Sequence, residues 1–477
     1  AADVDSIGVV DQLFSGLVEL SPEMAVVPDV AQRWEVLDEG RRYVFHLRGD
    51  VRWSDGTPVT AHDFEATWKR VLDPATASPL AHLLAVVRGA RAFHQGETTD
   101  PDTIGVTAED DQTLVVELES PTSYFLHMLA YNVSFAAPRH ALAAHGEAWT
   151  EVDQIVTNGP FLLEGRESET RITLSRNPDY HGRFTGNVER VEVCSLPEGA
   201  DRRAAYEAGE LDTLFLYGLG GQRDHVRLSH ADDYVSVPWL ATAYVAFDTS
   251  RPPFDDPRVR RAFAHAIDRE LFADLEMEGY VFPADGGFVP PGMPGHSPDI
   301  GLGYDLGQAR QLLADAGYAG GEGLPPLTFL TDESNEPPGR YLETQWRRNL
   351  GVEVTWAATD WESLTQRLED QPPHIFLDLW VADYPDPDTF LRVCDAVRWS
   401  RWRDANFEGL VIQAREATDQ QERMEMVHQA ERILVESAAV VPFTYGRSHL
   451  LVKPWIRRFP TSAIKSWFWK DVVIEPH

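Results

Sequence analysis

The sequence predicts an α/β protein built from two or three lobes, and two observations support this prediction. Helix-like and strand-like segments alternate between about residues 306 and 381, which favours crossover units in a largely parallel sheet. The chain has 477 residues, 43% of them hydrophobic, so it can bury more core than a single lobe usually contains. We therefore expect several lobes, at least one of them α/β.

The elements follow from apolar periodicity and from turn and cap signals. Residues 9–20 mix helical spacing with Gly16 as a breaker, and Thr60 to Asp63 forms a capping box that opens a helix over 64–72. Pro257 opens a long amphipathic helix over 258–274. The other predicted helices are 201–210, 306–316 ended by Gly317, 339–349 closed by Gly351, 361–369 and two within 404–436, and the predicted strands are 43–47, 113–118, 161–163, 172–174, 188–193, 211–217, 244–247, 327–330, 352–357, 375–381, 440–443 and 472–474.

Charge and hydropathy exclude several classes of partner. The net charge of −34 argues against nucleic acid and anionic membrane as partners. No apolar run approaches the ~20 residues that a membrane helix needs, and no secretory signal opens the chain.

No motif in the sequence predicts a catalytic centre, a cofactor or a metal. The sequence lacks a P-loop, a G-x-G-x-x-G turn, an H-E-x-x-H helix and a G-x-S-x-G elbow. His140 and His145 are the nearest approach to a histidine pair and are interpreted as surface residues. Cys194 and Cys394 are far apart in sequence, which favours two buried thiols and leaves a disulfide possible.

The most informative stretch is FLDLWVADYPDPDTFL at residues 376–391. A mostly apolar strand over 376–382 ends at Asp383, where two prolines stiffen the following turn. A carboxylate at the end of a buried strand is costly unless a cation or hydrogen-bond donors meet it. Two interpretations remain open: Asp383 caps the turn through backbone N–H groups, or it binds the ammonium of a ligand.

Several stretches together resemble one family, the family 5 extracellular solute-binding proteins, and within it the oligopeptide-binding proteins of ABC importers. They occur in family order along nearly the whole chain, which makes the signal far stronger than any single motif. The matching stretches are WSDGTPVTAHDF at 53–64, DPATASP at 73–79, IVTNGPF at 155–161, RNPDY at 176–180, PFDDPRVR at 253–260, ARQLLADAGY at 309–318, ADYPDP at 382–387 and VKPW at 452–455.

The resemblance implies a periplasmic-binding-protein-like fold of cluster C, with two main lobes, an extra lobe and a hinge. Lobe I would be discontinuous, over residues 1–13, 138–241 and 448–477. Lobe II, the extra lobe, would cover 14–137, and lobe III would cover 242–447. Ligand is expected between lobes I and III, which would close around it.

The resemblance also implies a set of ligand-binding residues. Asp383 would take the α-ammonium of a peptide, and Val381 and Ala382 precede it in the same motif. Trp380 and Trp361 match indoles that line side-chain pockets, with core packing as the alternative. Tyr244 matches an aromatic residue near the hinge, with a core role favoured. Val4 falls in an N-terminal segment that would pair with the ligand backbone as a strand.

Three departures from the family pattern bear on the ligand. Leu80 stands where some oligopeptide binders have a tyrosine, and Leu377 stands where a basic residue can meet a peptide's C-terminal carboxylate. Both leave peptide length and C-terminal recognition open. The chain also begins after the position of a first family strand, which would fit a trimmed chain or a domain cut from a longer protein.

The sequence therefore predicts a non-enzymatic receptor for small peptides that delivers them to an ABC transporter. Its expected partners are a small peptide and the permease subunits, and we expect a monomer outside the cytoplasm, either periplasmic or held at the cell surface as a lipoprotein. One alternative is a ligand-sensing domain of a larger regulatory protein, which would place it in the cytoplasm. Another is a receptor for a non-peptide solute such as an oligosaccharide or a metal chelate.

Overall fold

The structure, a computed structural model, describes residues 4–167, 170–196, 200–216, 223–464 and 467–476, without the side chains of 4–6 and 223–225. The chain falls into two units. Unit 1 comprises residues 1–216, 230–235 and 450–477, and unit 2 comprises 217–229 and 236–449. The division into three lobes stays a prediction.

Helices and strands alternate irregularly in the first part of the chain and regularly in the second. Up to residue 215 the elements are α1 Val4–Leu13, β1 Val18–Leu20, β2 Val26–Pro28, β3 Ala31–Leu37, β4 Arg42–Leu47, α2 Ala61–Leu72, α3 Ala90–His94, β5 Val106–Asp110, β6 Thr113–Glu117, α4 Phe125–Met128, α5 Arg139–His145, β7 Phe161–Glu167, β8 Arg171–Arg176, β9 Arg190–Cys194, α6 Arg202–Glu207 and β10 Thr213–Phe215. They continue with α7 Arg223–Ser229, β11 Tyr234–Phe247, α8 Pro257–His265, α9 Arg269–Leu271, β12 Phe282–Pro283, α10 Leu306–Asp315, β13 Leu327–Asp332, α11 Glu336–Leu350, β14 Val354–Thr359, α12 Trp361–Asp370, β15 Ile375–Val381, α13 Ala396–Trp399, α14 Ala405–Glu416, α15 Gln420–Ser437, β16 Val440–Val452, β17 Ile456–Arg458 and β18 Val473–Ile474.

Unit 1 is built on small antiparallel sheets. Its largest sheet has the order β3-β4-β6-β5, and a three-stranded sheet has the order β7-β8-β9. One hydrophobic cluster runs through both regions and includes Phe45, Trp68, Phe161 and Trp469. The predicted strand 211–217 appears as β10 over Thr213–Phe215, outside these two sheets, and Tyr217 lies outside the described residues.

Unit 2 is organised around one mixed sheet of order β16-β11-β15-β13-β14. Strand β13 is parallel to both β14 and β15, and helices α11 and α12 make the crossover connections. Strand β15 is antiparallel to β11, with Tyr244 opposite Asp378. The expectation of a largely parallel sheet therefore holds only for β14, β13 and β15. Strand β11 comes from a distant part of the chain and runs antiparallel to β15.

Local sequence signals set several helix ends as predicted. In α2 the backbone N–H of Thr60 donates to Asp63 Oδ2 at 2.8 Å, the contact expected of a capping box. Gly317 and Gly351 follow α10 and α11 with φ of 93° and 72°. Both values lie in the left-handed region, where glycine carries no steric penalty.

The predicted continuous helix over 258–274 is wrong. Helix α8 ends at His265, and a new short helix begins at Arg269 and passes into a π-helical turn over Phe272–Glu276. Asp268 causes the restart, because its side chain accepts the backbone N–H of Leu271 at 2.9 Å and caps the second helix. The apolar periodicity continued across this cap and concealed it.

The mixed α/β architecture agrees with the predicted fold class. Within the described ranges, every helix is too short or too polar to cross a membrane.

Candidate ligand-binding site

The candidate site lies at the carboxyl end of strand β15. Along the strand, Asp378 and Trp380 share one face, and Leu377 and Leu379 point to the other. The register with β11 continues past the strand, because the N–H of Ala382 donates to the carbonyl of Leu240 at 2.8 Å. Asp383 is the next residue, so this pairing fixes where its backbone lies.

Thr389 connects Asp383 to Trp380. Its hydroxyl Oγ1 donates to Asp383 Oδ2 at 3.1 Å and accepts the backbone N–H of Asp383 at 3.3 Å. The same oxygen accepts the indole Nε1–H of Trp380 at 3.2 Å. Thr389 is fully buried, whereas Asp383 and Trp380 are partly buried. One buried hydroxyl therefore holds the carboxylate and the indole together.

The turn after Asp383 is fixed by two acids that follow it. Asp386 accepts the backbone N–H of Asp388 at 3.0 Å and the Nη2–H of Arg423 at 2.6 Å. Asp388 pairs with Arg392 and accepts the hydroxyl of Tyr384 at 2.7 Å. Asp386 therefore caps this turn with its side chain, and both interpretations of Asp383 stay predictions.

A buried polar cluster supports the strand beneath the site. Tyr244 is fully buried on β11, as favoured from the sequence, and its hydroxyl donates to Asp378 Oδ2 at 2.9 Å. Burial raises the pKa of Asp378 to about 6 and raises the pKa of Tyr244 well above its usual range. Burial also raises the pKa of the Cys394 thiol, which lies beside Tyr244. Tyr244 is thus a core residue that supports β15 through its hydrogen bond to Asp378.

Trp361 is the most exposed of the predicted aromatic residues. It begins α12 with 51% of its surface exposed, and its ring centre lies 6.5 Å from that of Trp399. Trp399 packs edge-on against Phe376 of β15 and donates its Nε1–H to Glu369 at 2.9 Å. An exposed indole supported by a second indole is suited to contact with an apolar group.

The predicted site residues are divided between the two units. Trp380, Val381, Ala382 and Asp383 are consecutive, whereas Val4 and Leu80 belong to unit 1. Val4 is the first residue of α1, so the strand-like pairing implied for it differs from its helical backbone, whose carbonyls bond along the helix. Leu80 is partly buried and precedes a short 3₁₀ turn. Roles for both in ligand binding stay predictions.

Leu377 lies away from any ligand surface. Its side chain is fully buried in the hydrophobic cluster of unit 2 together with Val245 and Phe443. A basic residue at position 377 that binds a ligand carboxylate does not fit this structure. Its charge would be enclosed by apolar groups, which is costly.

Thr389, Asp378 and the pair of Asp386 with Arg423 were missed by sequence reasoning. Thr389 carried one signal: its hydroxyl lies between Asp388 and the apolar residues Phe390 and Leu391. Arg423 carried none, since its partner lies 37 residues away in sequence.

Both cysteines lie in the described part of the chain. Cys394 is buried, Cys194 is only partly buried, and both are free thiols. Among the residues that the structure describes, no group of three His, Cys, Asp or Glu side chains is placed to hold a metal ion. His140 Nε2 lies 2.8 Å from Asp55 Oδ2 in a partly exposed pair.

The mixed α/β fold agrees with the class predicted from the sequence, the solute-binding proteins. The chain belongs to the bacterial extracellular solute-binding proteins, family 5. The sequence pattern of the middle part of that family matches residues 25–399 of this chain. The resemblance found in the sequence is thus confirmed.

Relatives and solved structures agree along almost the entire chain. The probable deoxycholate-binding periplasmic protein YgiS of Escherichia coli is 33% identical over 98% of this chain and 89% of its own length. The periplasmic oligopeptide-binding protein OppA of Escherichia coli is 30% identical over 93% of this chain and 83% of its own. The structure of the Escherichia coli murein tripeptide-binding protein MppA matches with a TM-score of 0.81 and 28% identity, covering 100% of this chain and 95% of that one.

Proposed function

We propose that this protein is a receptor for small peptides that delivers them to an ABC transporter, and that Asp383 receives the α-ammonium of the peptide. The observation that carries the proposal is the carboxylate at the end of β15, held in one orientation by the hydroxyl of Thr389. The peptide-binding names of OppA and MppA support it. Neither is named as a signalling protein, which favours a transport receptor over a sensing domain.

The physical basis is charge pairing next to aromatic surface. An ammonium–carboxylate contact is a charge-assisted hydrogen bond, roughly twice as strong as a neutral one. Trp380 lies beside the carboxylate and Trp361 is exposed on α12, so apolar groups of a ligand have indole surface to contact. Indole contacts tolerate many side chains, whereas the carboxylate demands a cation.

A second candidate ligand class is a bile-acid-like amphiphile. The observation that favours it is the 33% identity to the probable deoxycholate-binding protein YgiS. Deoxycholate carries a carboxylate and a rigid apolar body. The indoles would suit its apolar body, but the charge of Asp383 would repel its anionic end, so we rank the peptide first.

The remaining parts of the proposal concern partners and place. We propose permease subunits of an ABC importer as the protein partner, a monomeric receptor, and a location outside the cytoplasm. Relatives named as periplasmic support the location. We also propose that the ligand leaves chemically unchanged, as befits a solute-binding family.

Ligand-induced stabilisation tests the proposal directly. A ligand that binds only the folded state stabilises it by about 2.7 kcal/mol at a hundredfold excess over its dissociation constant. Thermal melts should shift upward with pools of di- to pentapeptides and should not shift with the same pools N-acetylated. Mass spectrometry of the recovered peptides should show them intact.

Deoxycholate and neutral oligosaccharides serve as the competing arms of this experiment. A shift with deoxycholate alone would establish the second candidate and overturn the first. Peptide cleavage that persists after repurification would contradict a receptor that leaves its ligand unchanged.

A further inference from the structure

We propose that Thr389 is a positioning residue that couples recognition of the ligand ammonium at Asp383 to recognition of the neighbouring side chain at Trp380. The inference rests on the proposed function, because it takes Asp383 as the ammonium-binding group. It adds a residue that touches no ligand and yet determines how two ligand-binding groups act together.

The hydrogen-bonding capacity of the Thr389 hydroxyl fixes the direction of every contact. A hydroxyl has one proton to donate and two lone pairs that accept. The indole N–H of Trp380 and the backbone N–H of Asp383 can only donate, and they lie 3.2 and 3.3 Å from Oγ1. Both lone pairs are therefore used, and the hydroxyl proton points to Asp383 Oδ2 at 3.1 Å.

The backbone around Thr389 prevents the hydroxyl from moving elsewhere. Its N–H donates to the carbonyl of Asp386 at 3.2 Å, and its carbonyl accepts the N–H of Cys394 at 2.9 Å. It begins the π-helical turn Thr389–Val393 and is fully buried. A β-branched side chain also has few rotamers available. The hydroxyl is thus an anchored junction.

This junction makes the carboxylate and the indole depend on each other. A ligand ammonium that pairs with Asp383 changes the charge on the carboxylate that accepts the hydroxyl proton. The strength of the contact between Thr389 Oγ1 and the Trp380 indole N–H then changes as well, while Thr389 stays in place. Hydrogen bonds in such chains polarise one another. The binding free energy should therefore not be a simple sum of two contributions, one from the ligand's amine and one from the ligand side chain beside Trp380.

The first arm of the test needs no ligand. Protein labelled with ¹⁵N-tryptophan has fourteen indole N–H groups, and Trp380→Phe identifies the signal of Trp380. In Thr389→Val that signal should move and its N–H should exchange with water at least tenfold faster. Thr389→Ser should restore it. An unchanged Trp380 signal in folded Thr389→Val would overturn the positioning role.

A matched control comes from another buried threonine of unit 2. Thr331 is also fully buried, and its Oγ1 accepts the indole N–H of Trp356 at 3.3 Å. Thr331→Val should disturb the Trp356 signal and leave that of Trp380 in place. Equal disturbance of Trp380 by both variants would show a general loosening of the core and contradict the inference.

The second arm measures binding of Ala-Phe-Ala and of N-acetyl-Ala-Phe-Ala by calorimetry. Thr389→Val should weaken binding of the free peptide measurably, by up to about a hundredfold. That is the full cost of losing a hydrogen bond to a charged group, and it is an upper limit because the bond also exists without ligand. The variant should weaken binding of the acetylated peptide much less, and Thr389→Ser should rescue the difference. Equal loss for both peptides would overturn the coupling.

Two outcomes separate this inference from the proposed function. If wild type binds neither peptide, the proposed function fails and the coupling to an amine fails with it, while the indole arm still decides whether Thr389 positions Trp380. If Thr389→Val does not fold, Trp380→Phe replaces it. That variant should reduce the preference for the free over the acetylated peptide, and an unchanged preference would contradict the coupling.

Discussion

The core of unit 2 contains a carboxylic acid, Glu431, whose pKa is raised by burial. Glu431 on α15 is fully buried, and its Oε1 accepts the backbone N–H of Val289 at 2.7 Å. The loop lies so close that a Cβ added at Gly287 would be 2.0 Å from this oxygen. Burial raises the pKa of Glu431 to about 7, above its usual value of 4.5. Near neutral pH this side chain can take up a proton without leaving the core.

The raised pKa of Glu431 predicts a specific pH dependence of stability. Between about 4.5 and 7 the folded state holds the proton and the unfolded state does not, so stability falls as pH rises through this window and levels off above it. The difference in unfolding free energy between wild type and Glu431→Gln should change by up to about 3 kcal/mol from pH 5 to pH 8.

Chemical denaturation of the two proteins at several pH values measures this difference. Asp378, with its pKa raised to about 6, contributes to both proteins and cancels. Tyr445, near Glu431, has its pKa raised by burial and stays neutral over this range. Glu425→Gln, at an exposed position of the same helix, should show no such dependence. The same difference at pH 5 and pH 8 would contradict the buried titration.

At the scale of residues, the sequence revealed what depends on neighbours in the chain. Asp383 could be selected because an acid directly follows an apolar strand and precedes two prolines. Thr389 and Glu431 could not be assigned roles, because a hydroxyl or carboxylate on an apolar segment does not show which distant donors and acceptors surround it. Their functions depend on tertiary packing.

At the scale of elements, an ion pair fastens the turn after β15 to α15. The side chains of Asp386 and Arg423 are 5% and 3% exposed, and their contact distance is 2.6 Å. Arg423 Nε–H also donates to the carbonyl of Ala414 at 3.1 Å. This pair joins the candidate site to two helices that are far from it in sequence.

Breaking one side of this pair should be costly. A buried charge left without its partner typically destabilises a protein by about 3–5 kcal/mol. We expect Asp386→Asn to lower the free energy of unfolding by this amount, as measured by urea denaturation. Asp386→Asn combined with Arg423→Met should recover part of the loss, since no buried charge then remains alone.

An exposed pair provides the comparison. Glu343 and Arg347 on α11 lie 3.0 Å apart with side chains 25% and 47% exposed. Replacing Arg347 with Met should cost less than about 1 kcal/mol. A loss of similar size at Asp386 would show that its pair with Arg423 is as weak as a surface contact.

Element boundaries were predictable where local chemistry sets them. The capping box of α2 and the glycines after α10 and α11 are sequence-local signals, and they appear where expected. The break after α8 was not predicted, because the Asp268 cap lies inside an uninterrupted apolar pattern. The antiparallel pairing of β11 with β15 was also missed, since Tyr244 and Asp378 are 134 residues apart.

At the scale of the whole molecule, regular alternation predicted the α/β class, and motifs spread along the chain predicted the family. Both predictions are confirmed by the mixed sheet of unit 2 and by the family match over residues 25–399. Ligand identity was not predictable in the same way. Relatives of similar identity are named for a bile acid and for peptides, so the fold alone does not identify the ligand.

The most direct test of the account is a binding cycle at Asp383. Asp383→Asn keeps the shape of the side chain and removes its charge. Losing one partner of an ammonium–carboxylate pair typically costs about 2–5 kcal/mol, or roughly 30- to several-thousandfold in affinity. We predict this loss for a free-amine peptide, whereas Asp315→Asn on the exposed side of α10 should bind as wild type does.

The decisive measurement compares the free peptide with its N-acetylated form in wild type and in Asp383→Asn by calorimetry. Acetylation should cause the large loss in wild type and little further loss in the variant, because both changes remove the same charge pair. Equal affinity of wild type for the free and the acetylated peptide would contradict recognition of the ammonium by Asp383.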